Sequence, residues 1–165
     1  MPAVTLSTFD PERDLPRVVA WVRRPHVVRW WGDPEQSLTT LRGHPAAAAA
    51  LIHVDGRPVG FLCWQTPPEE ELHAAGLGDL PRDLVDVDIM IGEPDTLGQG
   101  VGPAALGHLL ARFRAEGVRA AGLATAVANE RALRAFEKAG FRPYRDFREG
   151  GCEFRYLIQT LSPTA

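Results

Sequence analysis

The alternation of apolar and polar residues divides the chain into short, well-punctuated segments. Val4 to Thr8 reads as a strand. Leu15, Val18, Val19 and Val22 fall at i, i+3, i+4 and i+7, one face of a helix, and Pro25 is expected to end it. Asp33-Pro34-Glu35-Gln36 has the form of a helix start, with Asp33 as N-cap and Pro34 in the first turn. Ala50 to Val54 and Val59 to Trp64 flank Asp55-Gly56, the pattern of a β-hairpin. Residues 66–84 contain Pro67, Pro68, Gly76 and Gly78 and are expected to form a long irregular loop, a lid or a disordered stretch. A central strand over residues 85–91 follows. Leu106, Leu109, Leu110 and Phe113 give another helical stripe, closed by Gly117. Ala120 to Val127 reads as a strand, and Asn129 caps a helix from Glu130 to Ala139 that Gly140 terminates. Phe141 to Phe147 and Phe154 to Gln159 are two strands around Gly150-Gly151. The order predicts an α+β chain of three-layer α/β type: a mixed sheet of about six or seven strands flanked by about four helices. A single domain is expected over 1–165, with its core at roughly 4–160.

Composition narrows the class. The chain has 165 residues, 45% of them hydrophobic, enough for a real core. Net charge is −3, which argues against nucleic acid and for a small or cationic partner. Cys63 and Cys152 are too few for a disulfide framework and lack metal-ligand spacing, so no metal is expected. The first residues lack the blocks of a signal peptide, and no apolar run is long enough to span a membrane. A cytoplasmic protein, monomeric or homodimeric, is the expectation.

Leu97-Gly98-Gln99-Gly100-Val101-Gly102 follows the central strand and precedes a helical pattern beginning at Pro103. Glycines permit a tight turn, and the first amides of a helix lack intrahelical partners, so such a loop can cradle a phosphate. A glycine turn with no ligand is the alternative. A dinucleotide site would follow the first strand, whereas here three strands come first. A Walker loop would end in Gly-Lys-Ser/Thr, and Gly102-Pro103-Ala104 does not.

Asn129-Glu130-Arg131-Ala132-Leu133-Arg134-Ala135-Phe136-Glu137-Lys138-Ala139-Gly140-Phe141 resembles the second signature of the GNAT superfamily of acyl-coenzyme A dependent N-acyltransferases. The glycine loop resembles that superfamily's pyrophosphate-binding motif. The likeness covers about residues 4 to 160 and implies the GNAT fold. Arg24-Pro25-His26-Val27-Val28-Arg29-Trp30-Trp31-Gly32, and the spacing from Asp88 to the loop, look like the aminoglycoside 6′-N-acetyltransferases. The N-terminal half is also similar to acetyltransferases of hydroxylysine side chains in siderophore synthesis.

The resemblance implies acetyl-coenzyme A and direct attack of an amine in a ternary complex. The backbone of Leu97, Gly98, Gln99, Gly100, Val101 and Gly102 would hold the pyrophosphate. Leu97 stands where Arg or Gln is usual, and Pro103 lacks one commonly used N–H. Ile89, Met90 and Ile91 would offer main-chain amides to the thioester and pantetheine, from a strand that splays from its neighbour. Asn129, Phe136 and Lys138 fall in the segment facing the coenzyme, with helix capping the other role open to Asn129. A primary amine is largely protonated at neutral pH, and a carboxylate can bind it and accept its proton, directly or through water. Asp88 matches an acidic position of the subgroup, and Asp86 shares its face; the alternative is solvated edge residues. Phe136 stands where a proton-donating Tyr is frequent, and a phenyl ring cannot donate; water, or Tyr144 or Tyr156, is left to protonate the leaving thiolate.

For the amine, Trp30 and Trp31 lie between predicted helices, and one of them could line a substrate cleft, packing being the alternative. Glu69, Glu70 and Glu71 would attract a polycation, a solvated charge run being the alternative. Arg29 beside the tryptophans, and Ala124 or Thr125 where the subgroup carries an acidic residue, depart from the aminoglycoside pattern. Three readings remain: a 6′-N-acetyltransferase, an N-acetyltransferase for a lysine, hydroxylysine or other small amine, and a non-catalytic acyl-coenzyme A binding domain.

Overall fold

The computed structural model describes residues 2–162. Its strands are β1 (Val4–Thr8), β2 (Ala49–Val54), β3 (Arg57–Gln65), β4 (Val85–Ile91), β5 (Ala120–Ala126), β6 (Arg142–Glu149) and β7 (Cys152–Thr160). They make one mixed sheet in the order β1-β2-β3-β4-β5-β7-β6. Six α-helices accompany them among the described residues: α1 (Pro11–Val22), α2 (Pro25–Trp31), α3 (Pro34–Arg42), α4 (Glu69–Ala74), α5 (Val101–Ala115) and α6 (Glu130–Lys138). The strands and sheet agree with the sequence pattern; the helices outnumber the four expected.

Both extra helices arise at prolines. Pro25 does not merely end a helix: it occupies the first turn of α2, where its missing N–H is no loss and its φ is already helical. Trp30 and Trp31 therefore lie on a helix rather than in a connector. Pro68 is the N-cap of α4, and Glu69, Glu70 and Glu71 fill the first turn, where the helix dipole favours acids. Residues 66–84 are consequently not an open lid. Leu72, Leu77, Leu80 and Leu84 bury their side chains at intervals along them.

The chain divides into two compact units, one of residues up to Cys63 with Ile89–Ala105, the other of Trp64–Asp88 with Leu106 onward. In the first, Val18, Trp21, Val22, Val27, Leu38, Leu41, Leu51, Phe61 and Met90 form the core. The β2–β3 hairpin turns at Asp55 and Gly56, both with positive φ. Gly60 and Gly92 matter for space, not torsion. A Cβ on Gly60 would collide with the Met90 carbonyl oxygen, and one on Gly92 with the Trp21 indole. In the second unit, Leu72, Leu77, Leu80, Leu84, Ala120 and Tyr156 form a core. Trp64 meets Phe113 edge to face at 5.7 Å. Asp79 ties residues 76–79 down: Tyr144 donates to it at 2.8 Å and Arg145 at 2.8 and 3.0 Å.

Gly92→Ala is expected to lower unfolding stability by about 2 kcal/mol through overpacking against Trp21. Equilibrium denaturation by urea measures it; an unchanged midpoint would show that the indole can shift aside.

Candidate active site

Strand β4 carries the chemistry because its alternation puts polar side chains on one face only. Val87 is buried, Asp86 is half-buried and Asp88 is exposed. The β4–β5 ladder among the described residues consists of Val85↔Ala121 and Asp86↔Gly122, in parallel. Val87 and Leu123 would be the next pair and do not belong to it. β5 itself continues, paired with β7 as far as Ala126↔Phe154. The two parallel strands thus part after Asp86, as the sequence resemblance implied.

Asp86 sits where the ladder ends. Its Oδ1 accepts from the Tyr156 hydroxyl at 2.9 Å and its Oδ2 from Gln65 Nε2 at 2.8 Å. The same Gln65 Nε2 lies 3.5 Å from Asp88 Oδ2. Burial, and then the charge of Asp88, push the Asp86 carboxyl up to about 7, while the donors Tyr156 and Gln65 pull the other way and Glu71 adds repulsion. Tyr156 is held protonated, its hydroxyl pushed up by burial and by Asp86. The tyrosine reaches Asp86 by an unusual route. It pairs with Ala124 on β5, yet its hydroxyl lies over Gly122, where any Cβ would collide with it. Sequence reasoning named Asp86 and Asp88 but did not find Gln65 or Gly122. Contacts across 21 and 36 positions leave no local signal.

In the first unit, Ile89 and Ile91 have their carbonyls engaged by α2. Trp31 Nε1 donates to Ile89 O at 3.3 Å, and a His26 Nε2–H lies 2.9 Å from Ile91 O. Trp31 also packs against the core, and Arg29 lies 4.6 Å from the Trp30 ring centroid. Glu93, just past β4, is the opposite of Asp86. Arg24 at 2.8 Å, Trp21 Nε1 at 2.9 Å and Arg57 at 3.2 Å donate to it, and its carboxyl is held below the usual range by Arg24 first and Trp21 second.

The glycine loop has the backbone a phosphate cradle needs. Gly98 and Gly100 have φ of +74° and +78°, a region that favours glycine, and the space a Cβ would fill there is empty. Gly98, Gln99 and Gly100 are exposed, Leu97 is half-buried, and Val101 opens α5. The Gln99 side chain folds back onto Asp95 O at 2.8 Å and leaves the loop uncovered. The loop thus fits a pyrophosphate on a helix N-terminus.

Asn129 is a helix cap: its Oδ1 accepts from Ala132 N at 3.3 Å, and its Nδ2 donates to Thr125 Oγ1 at 3.1 Å. Phe136 is buried and Lys138 exposed. Glu70 and Glu71 are exposed on α4, and Glu69 pairs with Arg82 at 2.9 Å. Tyr144 is spoken for by Asp79. Among the described residues no group of His, Cys, Asp and Glu comes together as a metal site, and no helix is long and apolar enough to cross a membrane.

Strand β4, the glycine-rich turn and α5 follow one another in that order along the chain. The sequence matches the acetyltransferase (GNAT) domain over residues 10–148; the chain belongs to that family and is an acyl-coenzyme A dependent N-acetyltransferase. Its relatives include the aminoglycoside N(6′)-acetyltransferases type 1 of Klebsiella pneumoniae and of Serratia marcescens, each 26% identical over 177 residues, 96% of this chain and 83% of the relative. Its fold is shared with a crystal structure of aminoglycoside acetyltransferase AAC(6′)-Ib in complex with coenzyme A, at a TM-score of 0.74 and 23% identity, over 96% of this chain and 95% of that one.

Because the folded state holds the Asp86 proton more tightly than the unfolded chain does, ionising Asp86 opposes folding. Its contribution is lost as pH rises from the ordinary carboxylate range through about 7. Asp86→Asn is therefore expected to raise the melting temperature at pH 8 relative to the parent and to change it little at pH 5. Equal shifts at both pH values would contradict the ionisation.

Proposed function

We propose that this chain acetylates a primary amine of a polycationic small molecule, with aminoglycosides bearing a 6′-amine as the leading class. The observation that carries the reading is the pair Asp86 and Asp88 on one face of β4, the strand that precedes the glycine loop in the chain. Glu71 of α4 adds repulsion to the Asp86 carboxyl. Such a concentration of acid favours a cation. The names of the Klebsiella and Serratia relatives support the aminoglycoside class.

Acetyl-coenzyme A supplies the acetyl group as a thioester. The amides of Gln99, Gly100, Val101 and Gly102 bind its pyrophosphate, and the amides of Ile89 to Ile91 offer donors to the pantetheine and the thioester oxygen. Asp88, exposed on β4, binds the substrate ammonium and accepts its proton, so that the neutral amine attacks directly. Phe136 has no proton to give, and water protonates the leaving thiolate. Trp30, Glu70 and Glu71 contact the amine's scaffold. Trp31 acts from behind, holding α2 against Ile89.

A thiol-release assay with acetyl-coenzyme A tests the reading against kanamycin, lysine, hydroxylysine and spermidine. Turnover with kanamycin well above the others is expected. Preference for hydroxylysine would reassign the acceptor, and coenzyme binding without turnover on any amine would remove catalysis. Asp88→Asn should lower kcat about tenfold or more at neutral pH with coenzyme affinity near that of the parent. Gly100→Val places a β-branched residue at positive φ and should abolish coenzyme A binding in calorimetry; retained binding would mean that the loop is not the pyrophosphate site.

A further inference from the structure

Between the end of β4 and the first glycine of the loop, the chain is fastened at nearly every step. The Gly92 and Glu93 amides both donate to Val59 O of β3, at 2.7 and 3.1 Å. Pro94–Thr96 make a single 3-10 turn. Thr96 is buried, and its amide and its hydroxyl both donate to Glu93 O, at 3.1 and 2.8 Å. Leu97 N donates to Pro94 O at 3.3 Å, and Gln99 returns its side chain to Asp95 O at 2.8 Å. The backbone is thus defined up to Leu97. Gly98 and Gly100, the residues with most conformational freedom, come directly after it.

Two carboxylates tie this stem to the rest of its unit. Glu93, with 15% of its side chain exposed, accepts from Trp21 Nε1 at 2.9 Å, from Arg24 at 2.8 Å and from Arg57 at 3.2 Å. The same Arg24 nitrogen donates to Gly92 O at 2.9 Å. Arg57, at the start of β3, also places a fork on Asp95, at 2.8 and 3.3 Å. Carboxylates are a costly choice just before a loop that is to bind an anion, because their charge opposes the ligand. What they offer in return is geometry. A carboxylate accepts several charge-assisted hydrogen bonds at once, and an arginine fork fixes its orientation.

We propose that Glu93 and the Arg57–Asp95 pair are positioning residues for the acyl donor: on the reading that the glycine loop binds the pyrophosphate, they hold residues 92–97 so that the loop's amides are set before the coenzyme arrives. They act through the stem and need no contact with the coenzyme. Holding the stem removes conformations that the two glycines would otherwise explore in the unbound chain. A loop with fewer conformations to lose binds its ligand more tightly. The two anchors differ in weight. Glu93 is half-buried and gathers three donors, and hydrogen bonds to a charged group are the stronger kind. Arg57 and Asp95 are 51% and 64% exposed, where an ion pair contributes little. Glu93 therefore carries most of the effect.

Calorimetric titration of coenzyme A into the full chain tests this, because positioning and simple electrostatics predict opposite signs at Asp95. Asp95→Asn removes a negative charge shortly before the loop, so electrostatics alone would tighten coenzyme A binding. Loss of the brace should instead weaken it about threefold. Arg57→Ala should weaken binding at least as much, and the double substitution no more than Arg57→Ala alone. Glu93→Gln should weaken it about tenfold or more. In the free chain, ¹⁵N relaxation should show the Gly98 and Gly100 amides more mobile on the picosecond-to-nanosecond scale in Asp95→Asn and Glu93→Gln than in the parent. A role in stability alone would lower the melting temperature and move neither readout. Arg57 and Asp95 lie on the surface, so their variants decide even if Glu93→Gln does not fold. Coenzyme A bound by Asp95→Asn as tightly as by the parent or more so, while Gly100→Val abolishes binding, would overturn the positioning role and leave the loop assignment standing. Binding retained in Gly100→Val would remove the loop assignment and this role with it.

Discussion

Strand β4 keeps a parallel partner only across Val85 and Asp86, and the distinctive features of this chain follow from that. A strand that loses one ladder has main-chain groups whose needs must be met some other way. At Ile89 and Ile91 the carbonyls are taken by Trp31 and His26 of α2. The amides of the same stretch are the donors proposed for the thioester and pantetheine. At Asp86, the last paired position, Gly122 offers no side chain, and a tyrosine from one strand further over fills the space. Packing fixes both outcomes, since Trp31 and Tyr156 each belong to a hydrophobic core as well as to a hydrogen bond.

Two of the three carboxylates between residues 86 and 93, Asp86 and Glu93, are treated oppositely. Glu93 gathers Arg24, Arg57 and the Trp21 indole, and its charge is fully compensated. Asp86 gathers neutral donors and carboxylate neighbours. The first arrangement locks α1 and α2 to the end of β4. The second surrounds Asp86 with neutral donors instead.

Much of this was legible in the sequence. The alternation in residues 85–91, the Asp55-Gly56 turn and the Asp33 and Asn129 caps are local patterns, and the structure follows them. Asp86 and Asp88 could be placed on one face from parity alone. Where the pattern misled, a proline stood at the boundary. Pro25 reads equally as a stop or as a first turn, and Pro68 hid a helix only six residues long in what looked like a loop. The partners of Asp86 were beyond reach for another reason. Tyr156 touches it from 70 positions away, and only because residue 122 is glycine. A glycine inside a strand signals a close approach, but not by what.

The central claim is that one continuous stretch, from the end of β4 through the glycine loop, receives the acyl donor. Amide chemical shifts of the ¹⁵N-labelled chain on addition of coenzyme A test it most directly. The account predicts that the largest changes fall together on Ile89, Ile91 and residues 98–102. Changes confined to other surfaces, with these amides unmoved at saturation, would contradict it.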